Sequence, residues 1–341
     1  MEENTNPIDL NKEDIQNDNV NFNSRLDLSQ LQKSVEAIRS ELSTVIVGQH
    51  KMIDQLLVAV LSNGHVLLEG VPGVAKTITA KLLAKTLSIG FSRIQFTPDL
   101  MPSDILGTSV FDLKKSEFEF KKGPVFSNLI LIDEINRAPA KTQAALFEVM
   151  EERQITIDGK TYILDTPFLV LATQNPIEQE GTYRLPEAQL DRFLFKITID
   201  YPKLEEEIII IQREHQLQNH GKLDNIQTLL TAEDIRKYQD LVKQIVVEPE
   251  LITYIAKIVV NTRENSFLYL GASPRASIAI LNAAKGYAAI RGRDFVTPED
   301  IKDAAIPVLQ HRMIVTPERE MEGISSTEII KQIIETVEIP R

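Results

Sequence analysis

Eight residues, Gly70-Val71-Pro72-Gly73-Val74-Ala75-Lys76-Thr77, carry the strongest chemical signal in the chain. They lie between a short apolar run, His65-Val66-Leu67-Leu68-Glu69, and a run of helix formers from Thr79 to Leu87. A buried strand, a Gly-rich turn and a helix N-terminus, in that order, aim backbone N–H groups and the positive helix end at an anion. Lys76 would then reach β- and γ-phosphates, and the Thr77 hydroxyl would ligate Mg²⁺. One position departs from the usual phosphate loop: Ala75 stands where Gly is usual. The flanking strand and helix separate the loop from a plain Gly/Pro turn. Binding of ATP or GTP follows.

Asp133 and Glu134 end a second apolar run, Leu129-Ile130-Leu131-Ile132. In a phosphate-loop fold such a strand runs beside the loop strand, with its C-terminal end facing the nucleotide. Asp133 would hold Mg²⁺, directly or through water, and Glu134 would orient and deprotonate the attacking water. A strand followed by an acidic helix cap is the bland alternative; the loop upstream decides for catalysis. The second carboxylate favours a hydrolase over a domain that merely holds nucleotide. Asn175, in Ala172-Thr173-Gln174-Asn175-Pro176, could position the same water or touch the γ-phosphate, against a plain loop Asn before Pro. Arg192, in Leu190-Asp191-Arg192-Phe193, precedes the last sheet strand. It could face outward and complete a neighbouring subunit's site as an arginine finger, against a local ion pair with Asp191 or Glu187. Arg275 opens a helix with Ser273 as N-cap and Pro274 in the first turn. That direction would let it reach the phosphate from the helical domain, against a solvated helix-start Arg. Arg184 and Arg137 are alternative donors in trans, and Val47 and Gly48 are counted with the nucleotide-binding residues.

These groups need a scaffold. Strand-like runs recur at 92–96, 129–132, 168–172 and 195–199, mostly separated by helical stretches. That alternation builds a parallel α/β sheet, here five-stranded with flanking helices. Tyr201-Pro202 is the best domain boundary, so residues 25–202 read as the nucleotide-binding domain and 203–341 as an all-helical domain. Helix starts at Thr231 and Thr297 share a Thr N-cap and an acidic first turn. A helix should bury Leu31, Val35, Ile38 and Leu42, and an apolar helix should run through Leu56–Leu61. Two hairpins are expected, one near 108–122 and one near 153–165 around Asp158-Gly159. Residues 1–24, rich in Asn, Asp and Glu, read as a disordered acidic tail.

Bulk properties narrow the class. The 341 residues suffice for two domains, and 43% hydrophobic content supplies an ordinary soluble core. With no cysteine there are no disulfides, thiolate metal sites or thiol catalysis, which fits a reducing cytosol. No apolar run of membrane-spanning length and no signal-peptide pattern occur, so a cytoplasmic protein is expected. A net charge of −12 argues against general nucleic-acid binding. His215 and His220 lack a partner at helical register and read as surface histidines.

Taken in order, the motifs resemble those of MoxR-type AAA+ ATPases. Gly70–Thr77 is similar to the Walker A motif of that family, including its Ala; Asp133-Glu134-Ile135-Asn136-Arg137-Ala138 resembles Walker B and its trailer. Thr173-Gln174-Asn175-Pro176 resembles sensor 1, Leu185–Phe193 the arginine-finger segment, and Ser273-Pro274-Arg275 sensor 2. The likeness runs from about residue 35 to 318. It implies an AAA+ fold with a helical lid, Mg-dependent ATP hydrolysis, and a hexameric ring. It also implies chaperone-like remodelling of protein partners, often with von Willebrand factor A domains, and hairpins that line the pore or face the partner. Two further classes stay open. A nucleic-acid motor could use Lys114, Lys115, Lys121 and Lys122 as a basic ring, and a low-turnover nucleotide switch is opposed by Glu134.

Overall fold

The computed structural model describes residues 26–71, 73–175, 182–183, 185–216 and 226–339. The expected acidic tail, Pro72, Arg184 and His220 lie outside the described residues. In chain order the strands of the first part are β1 (His65–Gly70), β2 (Phe91–Gln95), β3 (Gly107–Asp112), β4 (Glu117–Lys122), β5 (Leu129–Asp133), β6 (Gln154–Ile157), β7 (Lys160–Ile163), β8 (Leu169–Gln174) and β9 (Phe193–Ile199). Five of them form one sheet in the order β2-β5-β8-β1-β9, and every neighbouring pair is parallel. The register sets Gln95 beside Asp133, Glu69 beside Gln174 and Gly70 beside Ile199. All five carboxyl ends therefore meet at one edge, the expected ligand edge of such a sheet.

Both sheet faces are covered, so the central strands carry unbroken apolar runs, Val66–Leu68, Leu129–Ile132 and Leu169–Ala172, rather than alternating. Leu129 and Leu131 of β5 face one core, shared with the helices Ser29–Ser43 and His50–Leu61. Ile130 and Ile132 face the other, with Phe147, Met150 and Phe193. Leu31, Val35, Ile38 and Leu42 are buried on their helix as its spacing predicts. The helix His50–Leu61 is buried nearly all round because the helical domain lies on its far side. There Gly286 lets the backbone close in: a Cβ would meet Val58 and the Ser62 hydroxyl at 2.8 Å.

Both expected hairpins form: β3 with β4, and β6 with β7 around Asp158-Gly159. Asp158 and Gly159 have φ of 51° and 74°, the left-handed pair that a two-residue hairpin turn requires. The hairpins also join each other. Phe120 and Tyr162 lie 4.6 Å apart between ring centroids, and the Ser109 hydroxyl donates to Asp158. Among the described residues after Ile199 the elements are helices apart from a Val246–Phe295 bridge and one short antiparallel pair, β10 (Leu268–Leu270) with β11 (Ile314–Val315), which the sequence did not reveal. Thr231 and Thr297 each form a capping box, with Asp234 and Asp300.

Two buried histidines give this fold a pH dependence. The Nδ1 of His65 accepts from the Val170 N–H at 3.0 Å, and its Nε2 faces the Met150 carbonyl at 3.2 Å. Burial drives its pKa down to about 3, with the Arg153 charge adding to the effect. His311 is likewise held well below its ordinary value by burial, beside Arg312. Unfolding lets both rings protonate, so each contributes stability that is complete above about pH 6.5. For His65 that stability disappears as pH falls toward about 3, at up to about 1.4 kcal/mol per pH unit. The unfolding midpoint should drop between pH 7 and 5, and His65→Gln should flatten the drop. Equal stability at both pH values would contradict the buried neutral rings.

Candidate active site

The phosphate loop joins β1 to the helix Lys76–Thr86. Gly73 takes φ 89° and a Cβ there would meet nothing within 4 Å, leaving an open cradle above the helix start. Gly70 has no such freedom: a Cβ would lie 2.8 Å from the Ile199 carbonyl. Ala75 adopts the left-handed φ of 62° that Gly normally supplies, a strain of about 1–2 kcal/mol. Its carbonyl accepts from the Thr79 hydroxyl at 2.9 Å, which helps fix the turn. Lys76 Nζ donates to the Gly70 carbonyl at 2.6 Å, across the mouth of the loop. Burial pulls the Lys76 pKa below its ordinary value, opposed by the nearby carboxylates of Asp133, Glu134 and Glu69. Val47 and Gly48 lie just ahead of the helix His50–Leu61; Gly48 has φ 71° and the Glu206 carboxylate occupies the place of a Cβ.

Facing the loop, Asp133 is buried at the end of β5. One of its oxygens accepts from the Thr173 hydroxyl at 3.3 Å, the other from Arg93 Nε at 2.6 Å. Glu134 takes φ 58°, an uncommon conformation for a side-chain-bearing residue. Its N–H donates to Thr173 Oγ1 at 3.1 Å. Its carboxylate meets Arg137 Nε at 2.9 Å and accepts from the Gln95 amide at 2.9 Å. Arg137, an alternative trans donor from the sequence, here pairs with its own subunit's Glu134. Asn175 follows β8 at the same edge and is buried. Arg93, Gln95 and Thr173 were missed by sequence reasoning. Period-2 alternation puts Arg93 and Gln95 on one face of β2, but only the β2–β5 pairing aims them at the carboxylates.

The donors suit a Mg-nucleotide. Thr77 and Asp133 offer the hard oxygens that Mg²⁺ prefers, and a carboxylate with two hydrogen bonds keeps acceptor capacity. The open space at Gly73 and the helix N-terminus behind it suit phosphate oxygens.

The arginines are elsewhere. Arg192 precedes β9, whose first residue Phe193 pairs with His65 at the start of β1. It donates to the Phe147 carbonyl at 2.9 Å and to Glu151 at 3.1 Å. Its ion partner is Glu151 rather than Asp191 or Glu187. Arg275 meets the same Glu151 carboxylate at 3.2 Å. Both cations thus sit at the amino edge, a strand length of roughly 20 Å from their own phosphate loop. Arg275 is therefore not placed against the phosphate loop of its own subunit. Ser273 also departs from expectation: its hydroxyl does not cap the helix but donates to Asp191 at 2.9 Å. Asp191 in turn accepts from Arg312 Nε at 2.7 Å, which ties the helical domain to the start of β9.

Comparison with known proteins agrees with this geometry. Residues 65–195 match the ATPase family associated with various cellular activities (AAA), and residues 260–333 match the AAA lid domain. The chain is 45% identical over 310 residues to Chaperone MoxR1 of Mycobacterium tuberculosis, covering 88% of this chain and 81% of that one. It is 45% identical to the uncharacterised YeaC of Bacillus subtilis, covering 91% and 95%. Protein MoxR of Methylorubrum extorquens is 28% identical, covering 88% and 93%. A crystal structure of an ATPase candidate from Cytophaga hutchinsonii superposes with TM-score 0.85 at 45% identity, covering 92% and 97%. With the five-stranded parallel sheet, the helical lid and the two carboxylates opposite the phosphate loop, these matches show that the chain belongs to the MoxR-type AAA+ ATPases.

Proposed function

We propose that this ATPase hydrolyses Mg-ATP at sites completed between subunits of a ring, hexameric by family resemblance, and uses the cycle to remodel partner proteins. One observation carries the reading: Arg192 and Arg275 share Glu151 at the amino edge, remote from their own phosphate loop. Lys76 would balance the β- and γ-phosphate charge, while Thr77 and Asp133 would hold Mg²⁺. Held there, the ion would supply charge neutralisation at the phosphate oxygens. Glu134, leaving Arg137 and Gln95, would take a proton from the attacking water, with Asn175 fixing that water's position. A neighbour's Arg192 and Arg275 would stabilise the charge on the transferring phosphoryl group. Val47 and Gly48 would line the base end of the nucleotide.

In this reading, residues 25–202 form the catalytic domain and residues 203–341 the lid. A cytoplasmic setting belongs to it too, since a cysteine-free chain loses nothing in a reducing compartment. Among the described residues no helix is long and apolar enough to cross a membrane. The hairpins support a protein partner over a nucleic acid. Leu113, Phe111 and Phe118 are exposed at the tip of β3–β4, while Lys115 faces Asp112 and Glu119 and Lys122 lies over the Phe126 ring. A partner bearing a von Willebrand factor A domain remains the resemblance's suggestion.

Lys76→Ala should abolish nucleotide binding, because no other cation is placed to face the phosphates from within the loop. Titration calorimetry with ATP reads this directly. A Glu134→Gln protein should retain partner proteins only with ATP present, and Lys76→Ala should retain none. Capture that ignores nucleotide would contradict the remodelling role.

A further inference from the structure

The helix Leu204–Gln216 carries four consecutive isoleucines, Ile208 to Ile211, each between 38% and 61% exposed. Successive residues turn by about 100°, so four of them sweep most of the way round the helix. None of the side chains from Leu204 to His215 is buried, and only Glu206 and Arg213, on one face, are half-buried. That is unusual, because helices in proteins depend on burying an apolar stripe, and Ile favours a helix less than unbranched residues do. Polar contacts help attach it. Arg213 donates to the carbonyls of Ser43 and Thr44 at 3.0 and 2.9 Å, and the Glu206 carboxylate packs against Gly48.

Its position narrows what can cover it. The helix starts five residues after Ile199, whose carbonyl closes on Gly70, and Glu206 closes on Gly48. The helix thus starts beside the phosphate loop at the carboxyl edge and carries the isoleucines from there toward Ser43 and Thr44. At the opposite edge the surroundings of Arg275 are apolar and open as well. Ile278, one turn along the same helix, is 60% exposed, and Tyr269 and Leu270 just ahead of it are also exposed. Glu205 and Glu207 are exposed on the isoleucine helix, opposite in sign to Arg275.

We infer that the helix Leu204–Gln216 is a docking surface for a second copy of this chain, and that it receives the Tyr269–Ile278 surface of that copy. The inference rests on the reading that sites are completed between subunits. Bringing one copy's Arg192 and Arg275 over another's phosphate loop also brings together the surfaces that border them. Both borders carry exposed apolar side chains, Ile208 to Ile211 on one and Tyr269, Leu270 and Ile278 on the other. Such an interface is head-to-tail, since the two patches lie at different edges, and repeated head-to-tail contacts close into a ring.

The absence of cysteine makes the test clean. Ile211→Cys protein and Ile278→Cys protein, mixed with Mg²⁺ and a non-hydrolysable ATP analogue, should give a heterotypic product with a bismaleimide cross-linker. Its absence, with wild-type protein assembled, would overturn the inference. An Ile208→Glu/Ile211→Glu protein should need at least about tenfold more protein for half-maximal assembly by sedimentation. Its monomer should keep wild-type ATP affinity and melting temperature. If wild-type protein assembles and this variant assembles equally well, the docking surface is wrong while between-subunit sites stand. If wild-type protein hydrolyses ATP fully as a monomer, the reading beneath it is wrong. A variant that melts early or loses ATP as a monomer would mean that the isoleucines are covered by their own chain, which also overturns the inference.

Discussion

Replacing Glu134 by Gln is expected to leave ATP binding close to wild type while lowering turnover by about 10²–10⁴-fold, the usual worth of a positioned general base. The amide keeps the shape of the side chain and can still meet the Gln95 amide. It cannot take a proton. Asp133 and Thr77 are untouched, so Mg-dependent affinity should survive. Backbone strain at Glu134 is also unchanged, because Gln must adopt the same φ of 58°. Calorimetric affinity and steady-state phosphate release on one preparation separate the two effects. Turnover near the wild-type rate would remove Glu134 from the chemistry.

Replacing Arg192 by Ala should cost about 10³–10⁵ in turnover, the range over which arginine fingers act. Its structural role cannot produce a loss of that size. The Arg192–Glu151 pair is partly exposed, and such pairs contribute about 1 kcal/mol or less to stability. Melting should therefore shift by only a few degrees, and each subunit should bind ATP as before. Arg275→Ala should behave in the same direction, since Arg275 shares Glu151 and the same edge. Wild-type specific activity should rise with protein concentration, because the donor belongs to another subunit. An Arg192→Ala protein that loses ATP affinity instead of turnover would contradict this placement.

What the sequence made legible is what local chemistry dictates. A loop that must bend through left-handed conformations and present amides needs Gly73 and its neighbours at fixed offsets. A buried strand ending in two carboxylates is readable for the same reason, as is Asp158-Gly159 in its hairpin. What stayed hidden depends on which distant segments become neighbours. Arg93 and Gln95 reach Asp133 and Glu134 only because β2 pairs with β5. The length of the helix Ala140–Glu152 carries Glu151 across the sheet to the amino edge, where it gathers Arg192 and Arg275. Ser273 looked like a helix cap, and its hydroxyl was instead drawn to Asp191, a residue 82 positions away. Strands as short as β10 and β11 have too few residues to show alternation.

Mixing Arg192→Ala protein with Lys76→Ala protein tests the between-subunit site most directly. Neither should turn over ATP alone. In the mixture, some interfaces join an intact Lys76 from the first protein to an intact Arg192 from the second. Random assembly from equal parts makes about a quarter of head-to-tail interfaces complete in this way. Activity should reappear on mixing and peak near equal proportions. A mixture as inactive as its components, together with wild-type turnover that is independent of concentration, would mean that Arg192 serves its own subunit and that the site is not shared.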